Sequence, residues 1–132
     1  MQEPIAAYWI LLIAGLMPYP LVIMAKVGPT YDNNDPRNPA VLDTPFRRSA
    51  HGAHLNCLEA FPLFAAAVLL AGLRHAPAAA VNLAAYVWLA GRLAYVGCYL
   101  ARLGSLRSLI WLVGTFASVA IIVMALTRGS GA

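Results

Sequence analysis

The sequence predicts an all-α integral membrane protein, a bundle of four transmembrane helices. Of its 132 residues, 61% are hydrophobic and only 11% charged, whereas a soluble domain keeps roughly a quarter of its residues charged. The hydrophobic residues also fall into four long blocks, each close to the about 20 residues that cross a bilayer. These blocks lack the polar outer face, repeated with the helical period, of a soluble bundle. A chain of this length predicts one domain, residues 1–132.

The first predicted helix covers residues 5–25 and contains no charged residue. We expect it to be retained and not cleaved as a signal peptide, because its apolar run is long and lacks a basic start. Pro18 and Pro20 interrupt it, and a proline inside a helix removes a hydrogen bond and bends the axis. The loop that follows, residues 26–43, is rich in Asn, Asp and Pro, which favour turns. An ordered cytoplasmic loop and a plain linker are both open interpretations of this segment.

The second predicted helix covers residues 45–73, with Thr44 as its N-cap and Pro45 at its first position. At about 1.5 Å per residue it is roughly 43 Å long, which exceeds the about 30 Å hydrocarbon core of a bilayer. Its first two turns are therefore expected to project into the cytoplasmic interface.

The third predicted helix covers residues 77–102, and the fourth covers residues 106–128. Pro77 is expected to open the third helix and Gly104 to close it, with Ser105 capping the fourth. The apolar block of each helix contains one charge: Arg92 within residues 76–101, and Arg107 at the start of residues 106–126.

The basic residues predict the orientation of the spans. Six of them fall on the side of the first and third loops and two on the other side: Lys26, Arg37, Arg47, Arg48, Arg102 and Arg107 against Arg74 and Arg128. Because cytoplasmic loops carry the excess of Lys and Arg, this multi-pass protein is expected to have both termini on the non-cytoplasmic side. The net charge of +4 then follows from topology, with anionic membrane lipids as partners. Nothing in the sequence supports nucleic-acid binding.

A polar stripe runs along the second predicted helix. Its members, spaced at i, i+4, i+8 and i+11, fall within a sector of about 80°: Arg48, Gly52, Asn56 and Glu59. A carboxylate at the depth of Glu59 must face a partner or a water-filled cavity, because lipid solvates it poorly. The stripe is either an interhelical polar lock or a ligand site, and both interpretations stay open.

A second polar stripe lies on the third predicted helix, where Arg92, Tyr95 and Tyr99 share a face. Arg92 is the expected counter-ion of Glu59, because an unpaired buried charge of either sign is costly. Arg102 follows at the cytoplasmic end and Arg107 begins the fourth helix, so the two cluster where an anionic ligand could enter. The alternative interpretation is that Tyr99 is an interface anchor and that the arginines only set the orientation of the spans.

Histidines and cysteines predict no metal site. His51 and His54 lack a third ligand placed near them, so we expect interfacial, solvated side chains. Cys57 and Cys98 lie inside predicted helices, where free cysteine is commonly a buried packing residue.

Two runs of residues resemble one known family, and the resemblance covers all four spans in order. The first run is Asn56-Cys57-Leu58-Glu59-Ala60-Phe61-Pro62-Leu63-Phe64, and the second is Arg92-Leu93-Ala94-Tyr95-Val96-Gly97-Cys98-Tyr99 followed by Arg107. They resemble the second-helix and third-helix motifs of the MAPEG family, the membrane-associated proteins in eicosanoid and glutathione metabolism. The loop at residues 32–37 resembles that of divergent bacterial members, which implies a bacterial inner membrane.

The resemblance implies a homotrimer with active sites between neighbouring subunits, where glutathione binds as co-substrate and a lipophilic electrophile arrives from the lipid. It implies substrate-binding roles for Asn56, Glu59, Arg92, Tyr95 and Tyr99, and a catalytic role for Arg107, which would stabilise the glutathione thiolate.

The chain departs from the family's pattern at one position. Glutathione-using members carry an arginine four residues before the asparagine, where this chain has Gly52, and Arg48 lies one turn earlier as a possible replacement in substrate binding. The resemblance implies a glutathione transferase or peroxidase that acts on lipophilic electrophiles. The alternatives are a non-catalytic member that binds a lipid or another amphiphile, and a structural subunit of a membrane complex.

Overall fold

The computed structural model describes residues 2–128, and these residues form helices with no strand. The elements are α1 (Ile5–Leu16), α2 (Pro18–Lys26), a 3-10 turn (Pro39–Val41), α3 (Pro45–Leu73), α4 (Ala78–Leu100) and α5 (Gly104–Thr127). Because α1 and α2 together form one span, the described residues contain four helices long and apolar enough to cross a membrane. The predicted fold class is therefore confirmed.

The interruption predicted in the first span lies at Met17, between α1 and α2. Met17 keeps helical backbone angles (φ −55°, ψ −36°), and Pro18 starts α2. Since proline has no N–H, Pro18 cannot donate to the carbonyl of Ala14. The span is thus interrupted without a loop.

The α3 helix begins as predicted, because the Thr44 side chain accepts the backbone N–H of Arg47 at 3.2 Å and Pro45 follows at the first position. Pro62 lies inside α3, and the helix continues through it to Leu73.

The turn between α4 and α5 differs from the prediction. Here α4 ends at Leu100, and Arg102 takes the left-handed conformation (φ 61°) that Gly104 was expected to supply. The N–H of Leu103 donates to the carbonyl of Cys98 at 2.9 Å, the bond that closes a helix end around such a residue. Gly104 then starts α5, and its N-cap is Leu103 with no side-chain bond. The predicted Ser105 cap was therefore wrong.

The core of the bundle is built from small residues and one aromatic pair. Ala7, Ala67 and Ala85, on three different helices, are fully buried, and small side chains allow helix backbones to approach closely in lipid. Between them the rings of Phe64 and Trp88 stack with centroids 3.9 Å apart. Larger apolar side chains lie mainly on the outside of the bundle, as a lipid-facing surface requires.

The long loop between α2 and α3 is held by the side chain of Arg47. Its guanidinium donates to the carbonyls of Val27 at 3.0 Å and Val41 at 3.1 Å, and to the Thr30 hydroxyl at 3.2 Å. It also pairs with Asp43 at 3.4 Å. These contacts tie both ends of the loop to the start of α3, which supports the ordered interpretation of this segment.

Candidate functional site

Three helices, α3, α4 and α5, surround a cavity of about 170 Å³. Asn56 and Glu59 reach it from α3, and Arg92 reaches it from α4. The remaining lining is mostly apolar: Ala60, Leu63, Trp88, Trp111, Gly114, Thr115 and Ser118. Part of each polar stripe predicted from spacing therefore lies at one cavity.

A second cavity of about 190 Å³ adjoins the first and shares Asn56 and Trp111 with it. Its other lining residues are Tyr95 from α4 with Arg107 and Ser108 from α5. We call the two cavities together the α3–α5 cleft. The cleft contains two arginines, Arg92 and Arg107, and one carboxylate, Glu59.

Arg92 is the buried cation of the cleft, with only 3% of its surface exposed. Its Nη2 lies 3.5 Å from the Cys57 sulfur, and its guanidinium carbon lies 4.5 Å from the centre of the Tyr95 ring. A thiol and an aromatic face are weak partners for a buried charge. Arg92 therefore keeps capacity to bind an anion.

The predicted ion pair between Glu59 and Arg92 does not form. Cys57 and Tyr95 hold Arg92 deep in the bundle, while Glu59 lies exposed at the mouth of the same cavity. The Glu59 carboxylate instead faces the Asn56 amide nitrogen at a long 3.5 Å. Helical spacing predicted the helix face from which each side chain projects. It did not predict how far the side chain extends or which atoms it contacts. Without this pair, the polar-lock interpretation is weaker than that of a ligand site.

Asn56 contributes an unpaired atom to the cleft, since its side-chain oxygen Oδ1 is buried with no hydrogen-bond partner in the described structure. Buried polar atoms are nearly always paired, and Asn56 lines both cavities, so its orphaned acceptor indicates a place for a ligand donor or a water.

Arg107 is held above an aromatic ring, with its guanidinium carbon 4.5 Å from the centre of the Tyr99 ring. Tyr99 in turn meets Tyr95 edge-on, with ring centroids 5.8 Å apart. The Tyr99 hydroxyl lies directly against Gly52, so close that a Cβ there would overlap the ring. Because position 52 has no side chain, Tyr99 can occupy this space while its ring contacts the Arg107 guanidinium.

Arg48, the remaining residue of the predicted stripe, does not join the cleft. Its guanidinium donates to the carbonyl of Leu42 in the loop, at 3.1 Å. His51 and His54 lie on another face of α3 and line a separate pocket beneath the loop. Within residues 2–128 there is no group of three or more residues suited to hold a metal ion.

Sequence reasoning missed the contribution of α5 beyond Arg107. Ser108, Trp111, Thr115 and Ser118 all line the cleft. Arg107, Trp111 and Ser118 stand at i, i+4 and i+11, the spacing that marks one face of a helix. The same kind of helical spacing identified the polar stripe on α3, so the spacing could have identified these α5 residues from the sequence.

Comparison with known proteins identifies the family. The MAPEG family model matches residues 6–127, nearly the whole chain. The chain belongs to the MAPEG family. No curated protein and no solved structure gave a match. MAPEG proteins are four-helix membrane bundles, and the family includes both glutathione transferases and non-catalytic members. Membership therefore supports a multi-pass membrane protein and does not assign an activity.

Proposed function

We propose that the protein is a membrane-embedded glutathione transferase or peroxidase acting on lipophilic electrophiles, as one subunit of a bacterial inner-membrane homotrimer. The observation that carries the proposal is the presence of Arg92 and Arg107 in one cleft with Asn56 and Glu59. The chain belongs to a family that includes such enzymes.

The polar groups of the cleft fit the chemistry of glutathione, which carries two carboxylates, one ammonium group and a thiol. Guanidinium groups form strong, charge-assisted hydrogen bonds with carboxylates, a role for Arg92. Glu59 and the unpaired Oδ1 of Asn56 are acceptors for an ammonium group. A buried acceptor left unpaired costs about 1–3 kcal/mol, which the ammonium N–H would remove.

Arg107 then acts on the sulfur. The thiolate is the nucleophile, and a guanidinium fixed against the Tyr99 ring favours it by stabilising its negative charge, while the thiol proton passes to water. The thiolate attacks the electrophilic carbon, the C–S bond forms, and the leaving group departs with its electron pair. In the peroxidase reaction, two glutathione thiols reduce a hydroperoxide to an alcohol and water and become a disulfide.

The apolar part of the cleft suits a substrate dissolved in the membrane. Leu63, Trp88 and Trp111 line the cavity next to the polar groups, and Leu63 and Trp111 are 43% and 42% exposed. A lipophilic electrophile can therefore approach the thiolate from the hydrocarbon side without crossing the charged end of the cleft.

Arg107→Ala tests the proposal. On adding glutathione to the purified protein, we expect ultraviolet absorbance of a thiolate, and we expect Arg107→Ala to abolish it. Conjugation of an aryl halide should fall about a hundredfold in kcat/KM, the effect of removing one donor that stabilises developing charge. Arg102→Ala is the matched control, because it removes the same charge from an exposed position outside the cleft.

The unmodified protein is measured first, because its result decides whether the transferase proposal holds. If it shows neither thiolate absorbance nor conjugation, the transferase proposal fails. A thiolate signal unchanged in Arg107→Ala would instead remove only the role assigned to Arg107.

A non-catalytic MAPEG protein that binds a lipid or another amphiphile is the second candidate. Gly52 favours it, because glutathione-using members carry an arginine there and Tyr99 fills this space instead. Binding of a fluorescent fatty acid in the cleft, blocked by Leu63→Trp and without any glutathione signal, would support this candidate. A structural subunit would instead co-purify with fixed partner proteins.

A further inference from the structure

A separate pocket of about 410 Å³ lies beneath the loop between α2 and α3. We call it the loop pocket. Lys26 and Arg37 line it with His51 and His54, and its remaining wall includes Leu55 and Leu58. Its volume falls within the roughly 300–1,000 Å³ of small-molecule sites. It shares no lining residue with the α3–α5 cleft.

The polar end of the loop pocket is basic. Lys26 and Arg37 carry positive charges, and none of the described residues that line the pocket is acidic. Two carboxylates stand next to the lining in sequence: Asp43 is paired with Arg47 at 3.4 Å, and Asp35 is exposed. An anion in the pocket would therefore meet cations without a lining carboxylate to compete.

The two histidines add an unpaired atom to this end. The Nδ1 of His54 lies 3.0 Å from the carbonyl oxygen of Pro18, and since a carbonyl only accepts, this nitrogen donates. The Nδ1 of His51 is buried with no hydrogen-bond partner in the described structure. A buried ring nitrogen without a partner needs explaining, and here it lies in the wall of a basic pocket.

The other end of the pocket is apolar, and its leucine side chains are exposed at the surface of the bundle. Leu55 and Leu58 are 43% and 49% exposed on α3. From His51 to Leu58 the helix rises roughly 10 Å, so charge and hydrocarbon follow one another along the helix. The pocket also lies at the end of the bundle where α2 ends and α3 begins.

We infer that the loop pocket binds one anionic phospholipid. Its phosphate lies among Lys26, Arg37 and His51, and its acyl chain follows Leu55 and Leu58. Inorganic phosphate shares the headgroup chemistry, but it would leave the apolar half of the pocket without a role. The inference does not depend on the transferase activity, because it concerns a different face of α3.

Native mass spectrometry of the full chain in detergent tests the inference, with titrations of phosphatidylglycerol, phosphatidylcholine and inorganic phosphate. We expect one phosphatidylglycerol to stay bound after activation, and phosphatidylcholine to bind more weakly. Lys26→Gln with Arg37→Gln should weaken phosphatidylglycerol binding about thirtyfold, as the loss of two basic side chains near an anionic headgroup implies. Arg102→Gln removes a charge outside the pocket and should bind normally.

A second variant distinguishes loss of the lipid site from misfolding of the double variant. Leu58→Trp keeps every charge but fills the apolar half, so we expect it to expel the lipid while the protein elutes normally. Equal lipid retention in all variants would overturn the inference, since the lipid would then be held nonspecifically. Displacement of phosphatidylglycerol by inorganic phosphate at similar concentration would overturn it as well.

Discussion

At the residue scale, Gly52 controls where Tyr99 lies, and Tyr99 controls where Arg107 lies. The Tyr99 ring occupies the space that a side chain at position 52 would fill, and its face carries the Arg107 guanidinium. Because position 52 is a glycine and not an arginine, Tyr99 has the space from which its ring contacts Arg107. If Arg107 stabilises a thiolate, Gly52 is part of how this chain positions it.

Gly52→Ala should therefore weaken the interaction between glutathione and Arg107. The new methyl group displaces the Tyr99 ring, and a cation–π contact is worth about 0.5–2 kcal/mol. We expect the glutathione concentration needed for half-maximal thiolate absorbance to rise about fivefold. Gly97→Ala is the matched control, because a Cβ there meets no atom within 4 Å. The same shift in both variants, or none in Gly52→Ala, would contradict this chain of contacts.

Part of the cleft could be predicted from the sequence because helical spacing fixes direction. The spacing placed Asn56 and Glu59 on one face of α3, and both line the cleft. Direction does not determine partners, however. Arg92 contacts a sulfur and an aromatic ring instead of Glu59, and Arg48 turns back to a loop carbonyl. Those outcomes depend on side-chain length and on loop conformation, which the spacing does not contain.

At the scale of the elements, the start of α3 was predicted correctly, whereas the turn that joins α4 to α5 was not. The cap at Thr44 depends on a local pattern of one hydroxyl and one proline. The ends of α3 and α4 instead use His75 and Arg102 in the left-handed conformation (φ 51° and 61°). Glycine adopts this conformation most readily, so a search for glycine placed the second end at Gly104, two residues too late.

Replacing Thr44 and Ser105 in turn tests which of the two side chains caps a helix. Thr44→Ala removes the bond to the Arg47 N–H and should lower stability by about 1 kcal/mol. Ser105→Ala should leave it unchanged, because the α5 N-cap is Leu103 with no side-chain bond. Thermal unfolding of both variants in the same detergent measures the difference. Equal loss of stability in the two variants would be the contrary result.

At the scale of the whole molecule, the four spans could be predicted because membrane crossing requires only length and apolar composition. How the helices pack could not, since small residues occur in all four spans. Many large apolar side chains lie outside, such as Trp9 at 65% and Phe116 at 65% exposed. This surface is available both to lipid and to neighbouring subunits, and composition alone does not divide it between them.

The proposed trimer is tested by the mass of the purified particle. After correction for detergent, light scattering should give three times the 14.1 kDa of one chain. Crosslinking to completion should then produce a band of three chains with none larger. A particle containing a single chain would overturn the proposed trimer, while the α3–α5 cleft within one protomer would remain.

Pro62, in the middle of α3, leaves one backbone carbonyl of the helix free to bind water. Because proline lacks an N–H, the helix provides no donor for the carbonyl of Leu58, a polar atom at a depth where hydrocarbon offers none. One turn of the backbone can therefore accept a hydrogen bond from a solvent molecule, beside a carboxylate that itself needs hydration. Pro62→Ala would close this gap, and the amides of that turn should then exchange with deuterium more slowly.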